Sequence, residues 1–483
     1  MYYIGIDLGT SAVKGLLIDE NGAVLRENSK TYPVFYPRDG WSEQNPEDWF
    51  FAVNRLIDEL SDGVEEKIAA LSVGGQMHGL VVLDENDNVV RPCILWNDGR
   101  TEKQTRYLNE VVGKEFLSEN TANIAFAGFT APKLLWIEEN EPENFKKIRK
   151  IMLPKDYIAY RLTGSFTTDF SDASGTLFLD VKNKCWSQKM LDILHIDRLM
   201  LPKLKESYEV IGQIKDGFKL KGVLVAAGAG DNAAAAIGTG ATTNGATNIS
   251  LGTSGTVFTS CDKFSVGENN SLHAFCHANG KYHLMGCILS AASANKWWIE
   301  DILLGKDYEG EVACVSDKIG ENGVYFLPYL MGERSPHNDV NARGAFIGMR
   351  LDTSRQEMSL AVLEGVAFAL RDCVEAARSS GLKISSATLC GGGAKSKLWR
   401  RIIADVLGAE IMIPEVEQGP GYGAAILAMV AAGEYSSVEE AVKKIVKVKE
   451  RVIPDKERVA LYEKKYKTYK SLYPSLKEVF KIM

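Results

Sequence analysis

The tetrapeptide Leu-Gly-Thr-Ser occurs twice, at Leu8–Ser11 and at Leu251–Ser254, about half of the 483-residue length apart. Each copy follows a short apolar run, YYIGID in one case and TNIS in the other. Each precedes another such run, VKGLLID or GTVFTS. A strand, a glycine turn and a second strand, written at matching places in two halves, predict an α/β unit built twice rather than one enlarged core. The length agrees, because 483 residues exceed what a single hydrophobic core ordinarily serves.

The flanking segments repeat the plan. In the first half the turn Glu20-Asn21-Gly22 leads to a third strand, AVLREN, and Asn45-Pro46 opens a helix, PEDWFFAVNRLIDELSD. A buried strand, IAALSVGG, a second hairpin, LVVLDENDNVV, and a helical region over residues 101–200 follow. The second half has a hairpin, LHAFCHANGKYHLMGC, around Asn279-Gly280. It continues with the amphipathic helix SRQEMSLAVLEGVAFALRDCVEAARSSG, the strand ATLCGGG and the helix KLWRRIIADVLG. No low-complexity spacer separates the halves, so the small-residue stretch Ala233–Ala246 is the expected boundary and hinge, dividing the chain into domains 1–242 and 243–483.

A net charge of −7 argues against a nucleic-acid partner. The N-terminus MYYIGID has no basic leader, and GYGAAILAMVAAG is too short and too rich in Ala and Gly to span a bilayer, so it reads as a buried helix. Eight cysteines without a CxxC pair fit reduced thiols, and a cytoplasmic protein with no membrane partner is expected.

A glycine between two strands brings several backbone N–H groups close to a ligand with no side chain in the way, and neighbouring Thr and Ser hydroxyls add donors. Read singly, Gly-Thr-Ser is a good hairpin turn. Read as a pair, the two copies suit a phosphate clamp that holds one nucleotide between two domains. The chain has no Walker A pattern, so such a nucleotide is not held by a P-loop. A third glycine cluster, Gly391-Gly392-Gly393, lies between a strand and a helix starting near Ser396, which also favours a phosphate. Asp231, in GAGDNAAAAIGTG, reads both as the N-cap of an alanine-rich helix and as a carboxylate able to accept an alcohol proton during phosphoryl transfer. Asp7, beside the first turn, reads both as a turn-stabilising aspartate and as a holder of a metal ion through water.

Two other patterns have plain explanations. His273, Cys276, His277, His283 and Cys287 lie on a hairpin whose alternation turns His273 and His277 away from Cys276, against a zinc site. Tyr462, Tyr466, Tyr469 and Tyr473 recur at helical spacing, as the packed face of a terminal helix with its lysines in water.

The chain resembles the FGGY family of carbohydrate kinases, within the actin-like/hexokinase/Hsp70 superfamily. The resemblance runs nearly end to end through GIDLGTSAVKG, GWSEQNPEDWF, GGQMHGLVVLDENDNVVRPCILWNDGR, GDNAAAAIGTG, ISLGTSGTVF, FLPYLMGERSPHND, GAFIGM…EMSLAVLEG and GGGAKSKLW. GQMHG is the most specific of these; glycerol kinases carry an Arg-Glu pair where this chain has Met77-His78. The resemblance implies duplicated ribonuclease H-like domains of the actin/hexokinase type with a cleft between them. It implies ATP with Mg²⁺ as donor and D-xylulose, made into D-xylulose 5-phosphate, as the first expected acceptor. D-ribulose, L-xylulose, a pentitol or gluconate are the alternatives, and a non-enzymatic ATP switch is a more distant one. Residue by residue, it implies that Met77 and His78 contact the sugar, with Asn232 beside them and Asp231 as base. Asp7 holds Mg²⁺ by way of water. Thr10, Lys14, Gly252 and Thr253 face the phosphates, and Gly392, Gly393 and Lys397 approach the nucleotide. Family members are often dimers, so a homodimer is a further expectation.

Overall fold

The computed structural model describes residues 1–483. The first half is built on strands β1 (Tyr2–Leu8), β2 (Ala12–Asp19), β3 (Val24–Thr31), β4 (Ile68–Gly75), β5 (Val210–Gln213) and β6 (Leu224–Ala226), in the order β5-β6-β4-β1-β2-β3. A two-residue continuation, Ala229–Gly230, pairs with the end of β4. The second sheet holds β7 (Thr247–Leu251), β8 (Gly255–Cys261), β9 (His273–Cys276), β10 (Tyr282–Ile288), β11 (Ser386–Cys390), β12 (Glu410–Pro414) and β13 (Val448–Val452), in the order β9-β10-β8-β7-β11-β12-β13.

Traced from opposite edges, the two sheets share one pattern. β1 is antiparallel to β2 and parallel to β4, as β7 is to β8 and β11. An antiparallel strand, β5 or β13, closes one edge of each sheet. The copies differ in two respects: β9 extends the second sheet, and β5 precedes its neighbour in the chain whereas β13 follows. Both Leu-Gly-Thr-Ser segments occupy the same place, residues 9–11 linking β1 to β2 and residues 252–254 linking β7 to β8. The duplicated fold expected from the repeat is therefore present.

Along β1, residues 4, 6 and 8 face one way and 3, 5 and 7 the other. Ile4, Ile6 and Leu8 share a core with Trp49, Val53, Leu56 and Leu60 of α1 (Pro46–Ser61), a helix started by the Asn45 side chain accepting from Glu47 N. α2 (Pro154–Thr163) packs on the same side. Over the opposite face lie α3 (Asp231–Gly238) and, from late in the chain, α6 (Gly419–Ala431); α4 (Arg355–Ser379), α5 (Lys397–Leu407) and α7 (Lys456–Phe480) surround the second sheet.

The contact of α6 with the first half is backbone on backbone. A Cβ on Gly5 would lie 2.0 Å from Gly421 O, and one on Gly423 would lie 1.8 Å from Ala234 O. The stretch Ala233–Ala246 begins within α3, which meets α6 at close backbone approaches of Gly238, Gly419 and Gly423. A second seam closes the free edge of β9: Asn123 Nδ2 donates to Ala274 O at 2.9 Å, and Asn123 Oδ1 accepts from Ala274 N at 3.1 Å.

Three local expectations change. LVVLDENDNVV is only partly a hairpin, because Val81–Leu83 pairs with Lys150–Met152, and Leu83 alone bridges to Val89. Asp231 is not an N-cap: Gly230 caps α3, and Asp231 is its first residue. α7 buries Tyr462, Tyr466, Tyr469 and Tyr473 as expected, but Lys465 also turns inward, 2.6 Å from Glu364 Oε2. On the β9–β10 hairpin, His283 stacks on Phe258 at 3.9 Å, and His277 Nε2 lies 2.9 Å from Ala241 O. No helix is long and apolar enough to cross a membrane.

Candidate active site

The ends of β1 and β4 and the start of α3 converge on one side of the first sheet. Register places Asp7 beside Gly74 and Gly75 beside Gly230, so Asp231 begins its helix two strands from β1, roughly 10 Å away at ordinary strand spacing. Both aspartates are half-buried. Burial raises Asp7 to about 6 against the pull of Lys14, its cross-strand partner. Burial and then the charge of Asp7 raise Asp231 to about 7. Asp231 Oδ1 accepts from Asn232 N at 2.7 Å and Asn232 Nδ2 at 2.9 Å, so the two side chains present one polar edge. Asn232 Nδ2 also approaches Met77 Sδ at 3.9 Å, which ties the start of α3 to the residue before His78.

His78 has φ 69°, a left-handed backbone uncommon for a side chain of this size. Two donors hold it there: Lys133 Nζ to His78 O at 2.8 Å and Thr130 Oγ1 to the same oxygen at 3.2 Å. Lys133 is fully buried, and that burial lowers it to about 7. The ring stacks on Phe129 at 4.6 Å, and its Nδ1 lies 2.9 Å from Gly175 O. A carbonyl only accepts, so Nδ1 carries the proton and Nε2 presents a lone pair. Burial, with the nearby Lys133 and Arg334 charges, lowers the imidazole to about 3, so it is neutral. Residue 175 must be glycine, because a Cβ there would lie 2.3 Å from His78 Cε1.

The first Leu-Gly-Thr-Ser turn is tied into this same cluster. Thr10 Oγ1 donates to Gln76 Oε1 at 3.1 Å and accepts from Trp96 Nε1 at 3.0 Å; Gln44 Nε2 donates to Thr10 O at 2.7 Å and Gln76 Nε2 to Gln44 Oε1 at 3.1 Å. The Thr10 hydroxyl is thus engaged by Gln76 and Trp96 in this conformation, and Lys14 stands exposed across from Asp7.

The second half supplies a separate cavity of about 760 Å³, lined by Thr253, Gly392 and Gly393 together with Asn295, Trp297 and Trp399. Thr253 is fixed through its carbonyl, which accepts from Ser293 Oγ at 2.6 Å and Ala291 N at 2.9 Å. Gly252 adjoins Thr253 in the turn. Lys397 opens α5 outside the cavity lining, where Lys395 and Ser396 form the wall instead.

The structure therefore brings Met77, His78, Asp231, Asn232 and Asp7 together in the first half and Thr253, Gly392 and Gly393 together in the second. Sequence reading had not singled out Gln44, Gln76, Trp96, Lys133 or Gly175. The two glutamines were visible as polar residues within GWSEQNPEDWF and GGQMHG. Gly175 had no signal of its own.

The N-terminal domain description of the FGGY family of carbohydrate kinases matches residues 2–238, and its C-terminal domain description matches residues 247–432. The chain is 40% identical over 452 residues to a xylulose kinase of Escherichia coli strain K12, covering 92% of this chain and 93% of that one. The crystal structure of a xyloylose kinase from Brucella ovis matches with a TM-score of 0.92 at 38% identity, over 99% of this chain and all of that one. That of a gluconate kinase from Lactobacillus acidophilus matches with a TM-score of 0.93 at 30% identity, over 98% of both chains. The chain belongs to the FGGY family of carbohydrate kinases, and it is a sugar kinase.

Proposed function

We propose that this protein transfers the γ-phosphoryl group of ATP to the terminal hydroxyl of D-xylulose, giving D-xylulose 5-phosphate and ADP. The observation that carries the reading is the half-buried Asp231 at the start of α3, beside Met77 and His78, in a chain 40% identical to a xylulose kinase over nearly its whole length. In the transfer, the sugar oxygen bonds to phosphorus as the bond to the ADP oxygen breaks, and Asp231 takes the hydroxyl proton. His78 Nε2 accepts a hydrogen bond from another sugar hydroxyl, and Asn232 supplies a donor beside it. The cavity at Thr253, Gly392 and Gly393 takes the nucleotide, with backbone N–H groups toward its phosphates.

The carboxylate pair fits a divalent ion, since Asp7 and Asp231 repel each other and only Lys14 offsets Asp7. Asp7 would hold Mg²⁺ through water, and the ion would supply neutralising charge for the phosphates.

The test is ADP release with ATP and Mg²⁺ against ketopentoses, pentitols and gluconate, run beside Asp231→Ala. Preference for D-xylulose, lost in the variant, supports the reading. Preference for gluconate, which the Lactobacillus acidophilus structure makes the second reading, keeps the base and changes the substrate. Sugar-independent ATP turnover would overturn both.

A further inference from the structure

Beneath the sugar cluster lies a group of charges that the transfer does not use. Lys155 is 1% exposed at the start of α2. Its Nζ lies 2.6 Å from Asp156 Oδ1, 2.9 Å from Asp169 Oδ1 and 3.9 Å from Asp172 Oδ2, and all three carboxylates are buried. Burial alone would strip Lys155 of its proton, but Asp156 and Asp169 beside it keep it charged. Asp172 has no hydrogen-bond partner for either oxygen, and burial holds it protonated well above the usual carboxylate range. A buried ion cluster of this kind is seldom the most stabilising way to fill a core, which raises the question of what it holds in place.

The answer is in its connections, which run in two directions from Asp169. Asp169 Oδ2 accepts from Ser171 N at 2.8 Å, Ser171 Oγ at 2.5 Å and Ser207 Oγ at 2.7 Å. Toward the base, Ser171 Oγ accepts from Gly230 N at 3.2 Å, Ser207 O accepts from Gly228 N at 3.0 Å, and Lys155 Nζ donates to Ala227 O at 3.4 Å. Three residues of the run Ala227–Gly230, which delivers Asp231, are thus tied to this cluster, while Ala227 N also donates to Glu209 O and Ala229–Gly230 pairs with the end of β4. Toward the sugar, Asp169 caps the helical turn Phe170–Ala173, and the next turn, Ser174–Thr176, carries the Gly175 carbonyl that fixes His78 Nδ1.

Resting on the proposed sugar-kinase reading, we infer that Lys155, Asp169 and Ser171 form one positioning unit that sets Asp231 and His78 relative to each other. None of the three reaches the cleft, so none is a catalytic residue. They act through Gly230 on one side and Gly175 on the other. An alcohol must meet its base and its orienting acceptor in a single geometry, and displacement by about 1 Å costs on the order of a hundred-fold in rate.

The test combines Asp169→Asn, Ser171→Ala and Ser171→Thr with steady-state kinetics and ¹⁵N NMR of the His78 ring in the full-length protein. Asp169→Asn places an amide donor where Lys155 needs an acceptor. It is expected to lower kcat/KM for the sugar by about a hundred-fold and to shift the His78 nitrogens away from the Nδ1–H tautomer, while nucleotide affinity stays within about two-fold. Ser171→Ala cuts only the Gly230 link. It should lower kcat by about ten-fold with the His78 signal unchanged, and Ser171→Thr, which keeps the hydroxyl, should restore most of the loss. Wild-type kcat and His78 signals in Asp169→Asn, with only a lower Tm, would overturn the inference. So would equal kinetics for Ser171→Ala and Ser171→Thr, and that pair decides the matter if Asp169→Asn does not fold. If the wild type turns over no sugar, the proposed function fails, while the His78 signal in Asp169→Asn still judges the positioning unit.

Discussion

As the proposed base, Asp231 has to act as a carboxylate, yet its surroundings favour the protonated acid, with opposite consequences for activity and stability. Raised to about 7 by burial and by Asp7, it must lose its proton before it can accept one. kcat/KM for the sugar is therefore expected to rise with pH up to about 7 and to fall about ten-fold per unit below it, as a pH–rate profile would show. For folding the sign is reversed. The folded chain holds this proton more tightly than the unfolded one, so between the usual carboxylate value near 4 and about 7 the site's contribution to stability falls as pH rises. At pH 8, Asp231→Asn should raise Tm by about 2–5 °C while removing sugar phosphorylation, and thermal melts beside the activity assay check both halves of that expectation. His78, lowered to about 3, does not change charge across this range, so His78→Asn should raise the sugar KM and leave the midpoint of the acid limb where it was. The motif residues Met77, His78, Asp231 and Asn232 were legible because each sits in a short, distinctive string. Lys133 and Gly175 were not, because they reach His78 from 55 and 97 residues away and nothing local marks them.

Among the elements, the short turn at Ser174–Thr176 matters more than its length suggests. Gly175→Ala would drive a methyl into the His78 ring, and the expected result is a sugar KM raised by about ten-fold or more with ATP affinity unchanged, measured by kinetics and by nucleotide titration. In the terminal helix α7, removing Glu364 would leave the Lys465 ammonium buried without its carboxylate. Glu364→Ala should cost about 3–5 kcal/mol in denaturant unfolding without altering either substrate's KM. Helices and strands with a strong period were legible: α1 from its Asn45-Pro46 start and apolar spacing, and the β7–β8 hairpin from its glycine turn. The hairpin after residue 80 is present around Asp84–Asn88, but its pairing with Lys150–Met152 was not legible, because that partner lies beyond the range of a turn signal. Lys465 was misread because spacing shows which residues share a helix face but not which charge on that face meets a buried opposite charge.

For the whole molecule, the duplicated sheet was readable from a repeated tetrapeptide, because a turn between matched strands leaves a local imprint. How the halves are joined was not readable, because α6 meets the first sheet through atoms that no pattern of side chains describes. Gly423→Val should test that joint. The added bulk falls where Gly423 already touches Ala234 O, so the halves should be wedged apart. Each ligand is expected to bind within a few-fold of its normal affinity while kcat falls by about ten-fold or more. Calorimetric titration of each ligand beside turnover would distinguish this from general destabilisation.

The seating of α6 on β1 also sets an order in time. During synthesis β1 leaves the ribosome early, with the face carrying Tyr3 and Gly5 uncovered, and α6, which seats on it, is about four hundred residues behind. Until Ala431 emerges, one side of the first sheet is covered only in part, by α3. A fragment ending at residue 242 should therefore be sticky and prone to aggregate rather than a small stable unit, as light scattering of that fragment would show.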